Sequence, residues 1–302
     1  MATAGPVVVA TDLTDASRPA LERGRAYAAA SGAPLVVCHV VLDVFRHHPL
    51  MPHAGENDLL LGAELYARAG DLVNEQVRDV LGGSVRDLGV TVESGAPDEE
   101  IVRLAEASGA TLIVVGAKPR EGARLALGHV AERVVRYAHA SVLVAREGPT
   151  TGKVLATTDF SEGSLPALRV AGDLARATGA KVTLLHVVTP PSSALSSALM
   201  PFGDTWSPPP ASAVEALEAL GRDTLASLTA EHGLAAFEQR AGEPADVILQ
   251  RAEELGVEMI VTGSRGRRGL ARLVLGSVAE KVIRSSSCSV LVAREPVHGS
   301  LR

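Results

Sequence analysis

The sequence predicts an α/β protein in which one domain, an open five-stranded parallel sheet with helices on both faces, occurs twice. Three observations predict it. The length of 302 residues is about two domains of the common size of roughly 150 residues. The two halves repeat each other. Within each half, short β-branched runs alternate with longer segments of helical period, the pattern of a parallel sheet covered by helices.

The repeat is tandem and nearly complete. Thr11, Asp12, Ser17, Pro19, Ala20 and Leu21 recur 147 positions later as Thr158, Asp159, Ser164, Pro166, Ala167 and Leu168. The same shift carries His39, Val40 and Val41 onto His186, Val187 and Val188, and Gly95, Pro97 and Gly116 onto Gly242, Pro244 and Gly263. Ser141-Val-Leu-Val-Ala-Arg-Glu147 returns one residue later still, as Ser289-Val-Leu-Val-Ala-Arg-Glu295. The expected domains are therefore 1–148 and 149–302, joined near Gly148–Gly152.

In the second half the strands are expected near Val154–Thr157, Val182–Val188, Ala235–Arg240, Met259–Gly263 and Ser289–Ala293. The helices are expected at Ser164–Thr178, Ser212–His232, Pro244–Leu255 and Ser277–Arg284. Pro166 and Pro244 fall in first helical turns, where a missing N–H costs little. In open sheets of this kind ligands bind at the carboxyl ends of the strands, around the point where strand order reverses. The residues that follow strands one, two and four are thus the ones that carry chemistry.

Composition narrows the function. Hydrophobic residues make up 46% and charged ones 21%, ordinary globular usage that can fill two cores. One tryptophan, three tyrosines and four phenylalanines offer few platforms for stacking single-stranded bases. A net charge of −6 opposes general nucleic-acid binding, which needs a basic face. No apolar run reaches the length of a membrane span, and Met1–Pro6 has neither the basic nor the apolar part of a signal peptide, which makes the cytoplasm the expected location. Cys38 and Cys288 have no metal or redox spacing and are expected to be buried, inert thiols.

After strand four the second half reads Gly263-Ser-Arg-Gly266, nine residues, then Gly276-Ser277 and a helix. Glycines let a ligand approach the backbone, and a helix N-terminus adds unpaired N–H groups and a positive dipole end. Arg265, Arg267, Arg268 and Arg272 make the loop basic. These are the parts of a polyphosphate cradle. Ser277 and Glu280 also have the Ser-x-x-Glu spacing of a capping box, a role compatible with phosphate contact. A G-x-x-x-x-G-K-[ST] loop and a glycine-rich dinucleotide turn are both absent. Asp159 ends strand one with a carboxylate at the crevice, placed either to accept hydrogen bonds from a ribose or an adenine amino group or to cap the next helix.

Strand-one Thr-Asp, a second strand ending His186-Val-Val188, the pattern G-x2-G-x9-G-[ST] and a last strand of Val-Leu-Val type together resemble the universal stress protein family, over nearly all of both halves. The resemblance implies a Rossmann-like fold of five parallel strands, related to the adenine nucleotide α-hydrolase group. It implies ATP as the ligand, with Mg2+ as its accompanying ion. It places Asp159 and Val187 at the adenosine end and Gly263, Gly266, Gly276, Ser277 and Val278 at the phosphates. With Thr158, Thr262 and Arg265 these form the candidate nucleotide-binding set. It also implies that the last strands, Val142–Val144 and Val290–Val292, meet in an intramolecular pseudo-dimer, with a further homodimer open.

The first half keeps Asp12, Val40, Gly116 and Gly128 but has Pro119 at the second motif glycine, His129 at the serine, and a loop shorter by one residue. Proline removes an N–H donor and fixes φ, so Asp12, Val40, Gly116, Gly128, His129 and Val130 make a weaker, degenerate site. Lys118, Arg120 and Arg124 keep its loop basic.

His47, His48 and His53 lie in an irregular stretch with acidic neighbours, but their spacing matches no fixed metal-ligand pattern, and no metal site is expected. His39 and His186 read as structural histidines with satisfied hydrogen bonds. The proline-rich stretch Thr189–Ser212, with Trp206, follows strand two beside the adenosine position and reads as a lid, a docking segment or disorder. No general base, nucleophile triad or magnesium carboxylate pair stands out. The leading expectation is an ATP-binding, stress-response regulatory module with an unidentified protein partner. The alternatives are a nucleotide-independent interaction scaffold and a slow ATPase or self-phosphorylating protein.

Overall fold

The computed structural model describes residues 5–42, 56–82, 88–117, 127–189, 211–265 and 275–295, with backbone alone for 56–63 and 211. The chain divides into two compact units, the first built from the chain up to Glu147 and the second from Gly148–Ala293.

The first unit runs β1 (Val7–Thr11), a 3-10 turn (Asp15–Ser17), α1 (Arg18–Ser31), β2 (Leu35–Val41), α2 (Glu56–Leu81), β3 (Leu88–Ser94), α3 (Pro97–Ala107), β4 (Leu112–Gly116), α4 (His129–Tyr137) and β5 (Ser141–Ala145). The second repeats it as β6 (Lys153–Thr158), a 3-10 turn (Glu162–Ser164), α5 (Leu165–Thr178), β7 (Lys181–Val188), α6 (Ala211–His232), β8 (Ala236–Ala241), α7 (Pro244–Leu255), β9 (Met259–Gly263), α8 (Ser277–Ser285) and β10 (Ser289–Ala293). All strand pairs within each unit are parallel, in the order β3-β2-β1-β4-β5 in the first and β8-β7-β6-β9-β10 in the second.

The central strands β1, β4, β5, β9 and β10 form where aliphatic residues run together, because a parallel sheet is covered on both faces there and each residue needs an apolar neighbour, whereas the edge strands β3 and β8 are more polar and less buried. Val7, Val8 and Val9 of β1, and Val290, Leu291 and Val292 of β10, have no solvent exposure. Several helices end where glycine permits the left-handed region, whereas α4 and α8 end at Ala138 and Ser286 in extended conformation. Gly32 (φ 67°) closes α1 with its N–H on Ala28 O, and Gly179 (φ 71°) closes α5 with its N–H on Ala175 O. The prolines Pro19, Pro97, Pro166 and Pro244 all sit at the first or second helical position, as expected for residues with φ preset for a helix and no N–H to lose.

Neighbouring residues of β8 identify the two faces. Glu238 bonds Arg251 of α7, with Nη2 to Oε1 at 2.5 Å, whereas Gln239 lies under α6, where a Cβ on Gly221 would come within 2.9 Å of its Oε1. Successive strand residues point to opposite faces, so α6 and α7 cover opposite sides of this sheet. The Arg251 guanidinium hydrogen-bonded to Glu238 holds that carboxyl below its ordinary range.

Order in each sheet reverses at the first strand. The chain moves from β1 outward to β3, then returns to place β4 on the other side of β1, and the second unit does the same with β6 and β9. The crevice of each unit therefore opens between β1 and β4, or between β6 and β9, at the carboxyl ends of the strands. Among the described residues no helix is long and apolar enough to cross a membrane.

The two cysteines differ. Cys38 on β2 has no solvent exposure, and burial, helped by the nearby carboxylates of Glu93 and Glu100, pushes its thiol up to about 12. Cys288 is half-buried rather than buried, a correction to the sequence reading: it sits in the short connection between α8 and β10, where Ser286 Oγ donates to its carbonyl at 3.0 Å. The thiolate is the reactive form. In the native protein at pH 8 a disulfide-exchange reagent is therefore expected to titrate at most one thiol per chain, Cys288, and to reach Cys38 only in denaturant. Two fast thiols in the native state would contradict the buried, protonated Cys38.

Candidate functional site

Each unit carries the same unusual turn at the carboxyl end of its first strand. Leu13 (φ 64°) and Phe160 (φ 62°) are the only non-glycine residues with positive φ among the described residues, and they occupy equivalent positions of the two copies. A side chain in that region costs about 1–3 kcal/mol and persists only where its surroundings over-determine it.

The surroundings here are hydroxyls and a carboxylate. In the second unit the Phe160 N–H donates to Thr158 Oγ1 at 3.0 Å. Ser164 Oγ donates to Ser161 O at 2.8 Å, so the 3.0 Å contact between Thr158 Oγ1 and Ser164 Oγ carries the Thr158 proton. Ser161 donates to Asp159 Oδ1 twice, from its N–H at 3.0 Å and from its hydroxyl at 2.5 Å. The Phe160 ring stacks on His186, centroids 4.1 Å apart. His186 Nδ1 lies 2.8 Å from Thr158 O, which assigns the proton to Nδ1.

The first unit repeats most of this. Leu13 N–H donates to Thr11 Oγ1 at 3.0 Å, Thr14 donates to Asp12 Oδ1 from its N–H at 3.1 Å and its hydroxyl at 2.6 Å, and His39 Nδ1 lies 2.9 Å from Thr11 O. His39 and His186 are thus hydrogen-bonded structural histidines. The brace differs: where Phe160 covers His186, the first unit has Gln76 of α2, which accepts from Thr11 Oγ1 at 2.6 Å and donates to Thr14 O at 3.2 Å.

The turn packs against the end of strand four without room for a side chain. A Cβ on Gly263 would meet Gly163 O at 2.4 Å, and one on Gly116 would meet Ala16 O at 2.5 Å. The first glycine of the loop motif is therefore required by the backbone of the facing 3-10 turn, whatever else it does. Gly163 is close to the loop in turn, since its Cβ would lie 2.9 Å from Arg265 O.

Register brings the adenosine-end candidates together. Thr158 pairs with His186, so Asp159 and Val187 are the next residues of neighbouring strands. Val187 pairs with Arg240, which shares its face with Glu238 and so lies on the α7 side. Val187 and Asp159 are half-buried, whereas Thr158 and Thr262 are buried. Thr158 gives its hydroxyl to the turn, and it shapes the site without facing it. The loop ends are tied: Gly276 N–H donates to Ser264 O at 2.9 Å. The chain that leaves β9 thus returns to its starting point before α8 begins. Gly266 and the basic residues Arg267, Arg268 and Arg272 lie outside the described residues, as do Lys118, Pro119, Arg120 and Arg124 of the first unit. So do His47, His48 and His53, and residues 190–210 of the proline-rich stretch.

Two sequence readings are corrected. Ser277 is not the cap of α8: Gly276 holds that position (φ −68°, ψ 147°), the first helical bond runs from Glu280 N–H to Gly276 O, and Ser277 is the first helical residue. The Glu280 side chain pairs with Arg284 at 3.1 Å. Asp159 is not a helix cap either, because Ser161 and Ser164 hold the positions before the 3-10 turn and α5, and its carboxylate closes the turn on Ser161. With glycine as its cap, α8 has no capping side chain at that position for its first amides, those of Ser277, Val278 and Ala279. Ser277 is exposed and Val278 half-buried. In the first unit Gly128 caps α4 in the same way (φ −64°, ψ 151°), with His129, exposed, as first helical residue and Val130 next.

What the second unit offers is a half-buried carboxylate and valine at one side of the crevice, and at the other a helix N-terminus that favours an anion. Sequence reasoning passed over Phe160, Ser161 and Arg240. Their counterparts in the first copy are Leu13, Thr14 and Glu93, so matching residues between copies does not find them.

The sequence model described as the universal stress protein family matches residues 4–146 and again 150–294. A universal stress protein of Mycolicibacterium smegmatis is 28% identical over 308 residues, which cover 95% of this chain and 96% of that one. Stress response protein NhaX of Bacillus subtilis is 32% identical over 161 residues, 47% of this chain and 97% of its own length. Among solved structures, a universal stress protein from Archaeoglobus fulgidus aligns over 95% of this chain and 98% of its own with a TM-score of 0.65 at 21% identity, a likeness of fold.

The close approach at the end of strand four makes a direct prediction. Gly263→Ala and Gly116→Ala each force backbone apart and are expected to cost about 1–3 kcal/mol, read as a lower midpoint in thermal unfolding. A variant as stable as the parent would show that the turn and strand end are not packed as described.

Proposed function

This chain belongs to the universal stress protein family, and we propose that its second half is an adenine-nucleotide site, filled by ATP, whose occupancy regulates what the protein surface binds. The observation that carries the proposal is the juxtaposition at the β6/β9 crevice: Asp159 and Val187 at adjacent strand ends, and across from them the glycine-capped N-terminus of α8, held in place by the Gly276–Ser264 hydrogen bond. A carboxylate accepts from the hydroxyls of ribose or the amino group of adenine, and amides at a helix start donate to phosphate.

In this reading Asp159 and Val187 hold the adenosine, with Thr158 and Thr262 as buried supports. The amides of Gly276, Ser277 and Val278, with Gly263, Arg265 and Gly266, take the phosphates. Mg2+ enters with the triphosphate. The first half, with Asp12 and Val40 intact but His129 in place of the serine and Pro119 in its loop, is the weaker site and serves mainly as structural partner. Two family domains in one chain fit an intramolecular pseudo-dimer.

Calorimetric titration of the full chain with MgATP tests the reading. Saturable binding with one strong site per chain is expected, and Gly276→Asp, which puts a carboxylate at the helix start, should weaken it at least tenfold through charge repulsion. Absence of binding at millimolar ATP, or unchanged affinity in Gly276→Asp, would remove the proposal.

A further inference from the structure

We infer that Ser161 is a positioning residue for the adenosine end of the site, acting through the carboxylate of Asp159; the inference rests on the nucleotide reading above and goes beyond it in assigning a role to a residue outside the loop motif. The hydroxyl of Ser161 occupies a place where the ordinary use would be different. Ser161 is the residue before a 3-10 turn, where a serine side chain usually accepts from an N–H of the following turn, yet it makes no such bond. Its proton goes backward, to the carboxylate oxygen Asp159 Oδ1, a hydrogen bond to an ionised acceptor.

The turn alone does not require this. A carboxylate that accepts from the N–H two residues on already closes such a turn, and the Ser161 N–H supplies that bond at 3.0 Å. The second bond, from the hydroxyl to the same oxygen, fixes the orientation of the carboxylate about its side-chain torsions. The first copy makes the same choice with a different residue. Thr14 also precedes a 3-10 turn, also leaves it without a side-chain cap, and also donates both its N–H and its hydroxyl to the Oδ1 of its aspartate. What recurs between the copies is the hydroxyl, not the side chain that bears it.

Preorganisation of this kind acts on affinity, because a carboxylate already held in one rotamer loses less freedom when a ligand binds. Ser161→Ala keeps the N–H bond and removes the hydroxyl. Ser161→Thr keeps both, as the first copy does. In calorimetry on the full chain, Ser161→Ala is expected to bind AMP and ATP about tenfold more weakly, by the same factor for both, since the outer phosphates lie away from Asp159. Ser161→Thr should remain within about twofold of the parent. AMP affinity unchanged in Ser161→Ala, or a loss that Ser161→Thr fails to restore, overturns the inference while the nucleotide reading stands. A parent chain that binds neither nucleotide overturns both.

Discussion

The second unit is organised around a place where two backbone segments meet with no space for a Cβ. The 3-10 turn after β6 presses Gly163 O onto Gly263 at the end of β9, and the first unit repeats the contact between Ala16 O and Gly116. This is the switch point of each sheet, and the contact decides what can stand there. The first strand must stop and reverse at Asp159, the fourth must end in glycine, and Gly276, just before α8, is bonded back to Ser264. The positions of the carboxylate, the valine and the helix N-terminus follow from it.

The reversal is strained, and the strain is held by polar groups. Phe160 and Leu13 adopt a backbone conformation that suits glycine, and in both copies a threonine hydroxyl accepts the N–H of the strained residue. The copies then diverge in how they brace it. In the first unit the amide of Gln76 reaches from α2 to Thr11 and Thr14. In the second the aromatic ring of Phe160 lies on His186, whose Nδ1 proton holds the carbonyl of Thr158. Both copies are tied to the adjacent strand by a histidine, His39 or His186; the first adds Gln76 of a neighbouring helix and the second adds the Phe160 ring, at the edge where the adenosine is proposed to sit.

Much of the fold was legible because the central strands are buried on both faces. The aliphatic runs Met259-Ile-Val261 and Val290-Leu-Val292 mark β9 and β10, and Pro244 and left-handed glycines such as Gly179 mark where helices begin and end. The positions that repeat a motif were legible as places in the fold: Asp159 follows β6, Val187 lies near the end of β7, Gly263 ends β9 and Gly276 precedes α8. The rest was hidden for physical reasons. Positive φ at Phe160 has no glycine to announce it, since it is held by the hydrogen bond that the Phe160 N–H donates to Thr158 Oγ1 and by the packing of the turn. The Ser-x-x-Glu spacing of Ser277 and Glu280 fits a capping box, but the helix starts one residue earlier because Gly276 takes the extended conformation of a cap. Ser161 was passed over because the hydroxyl that matters sits on threonine in one copy and on serine in the other.

The central claim is that the two copies are unequal and that the second one holds the nucleotide. A crystal structure of the full chain grown with MgATP tests it most directly. One nucleotide per chain is expected, its adenosine against Asp159 and Val187 and its phosphates on the amides of Gly276–Val278, with none between Asp12 and Gly128. Nucleotide in both copies, in the first copy alone, or in neither would contradict it.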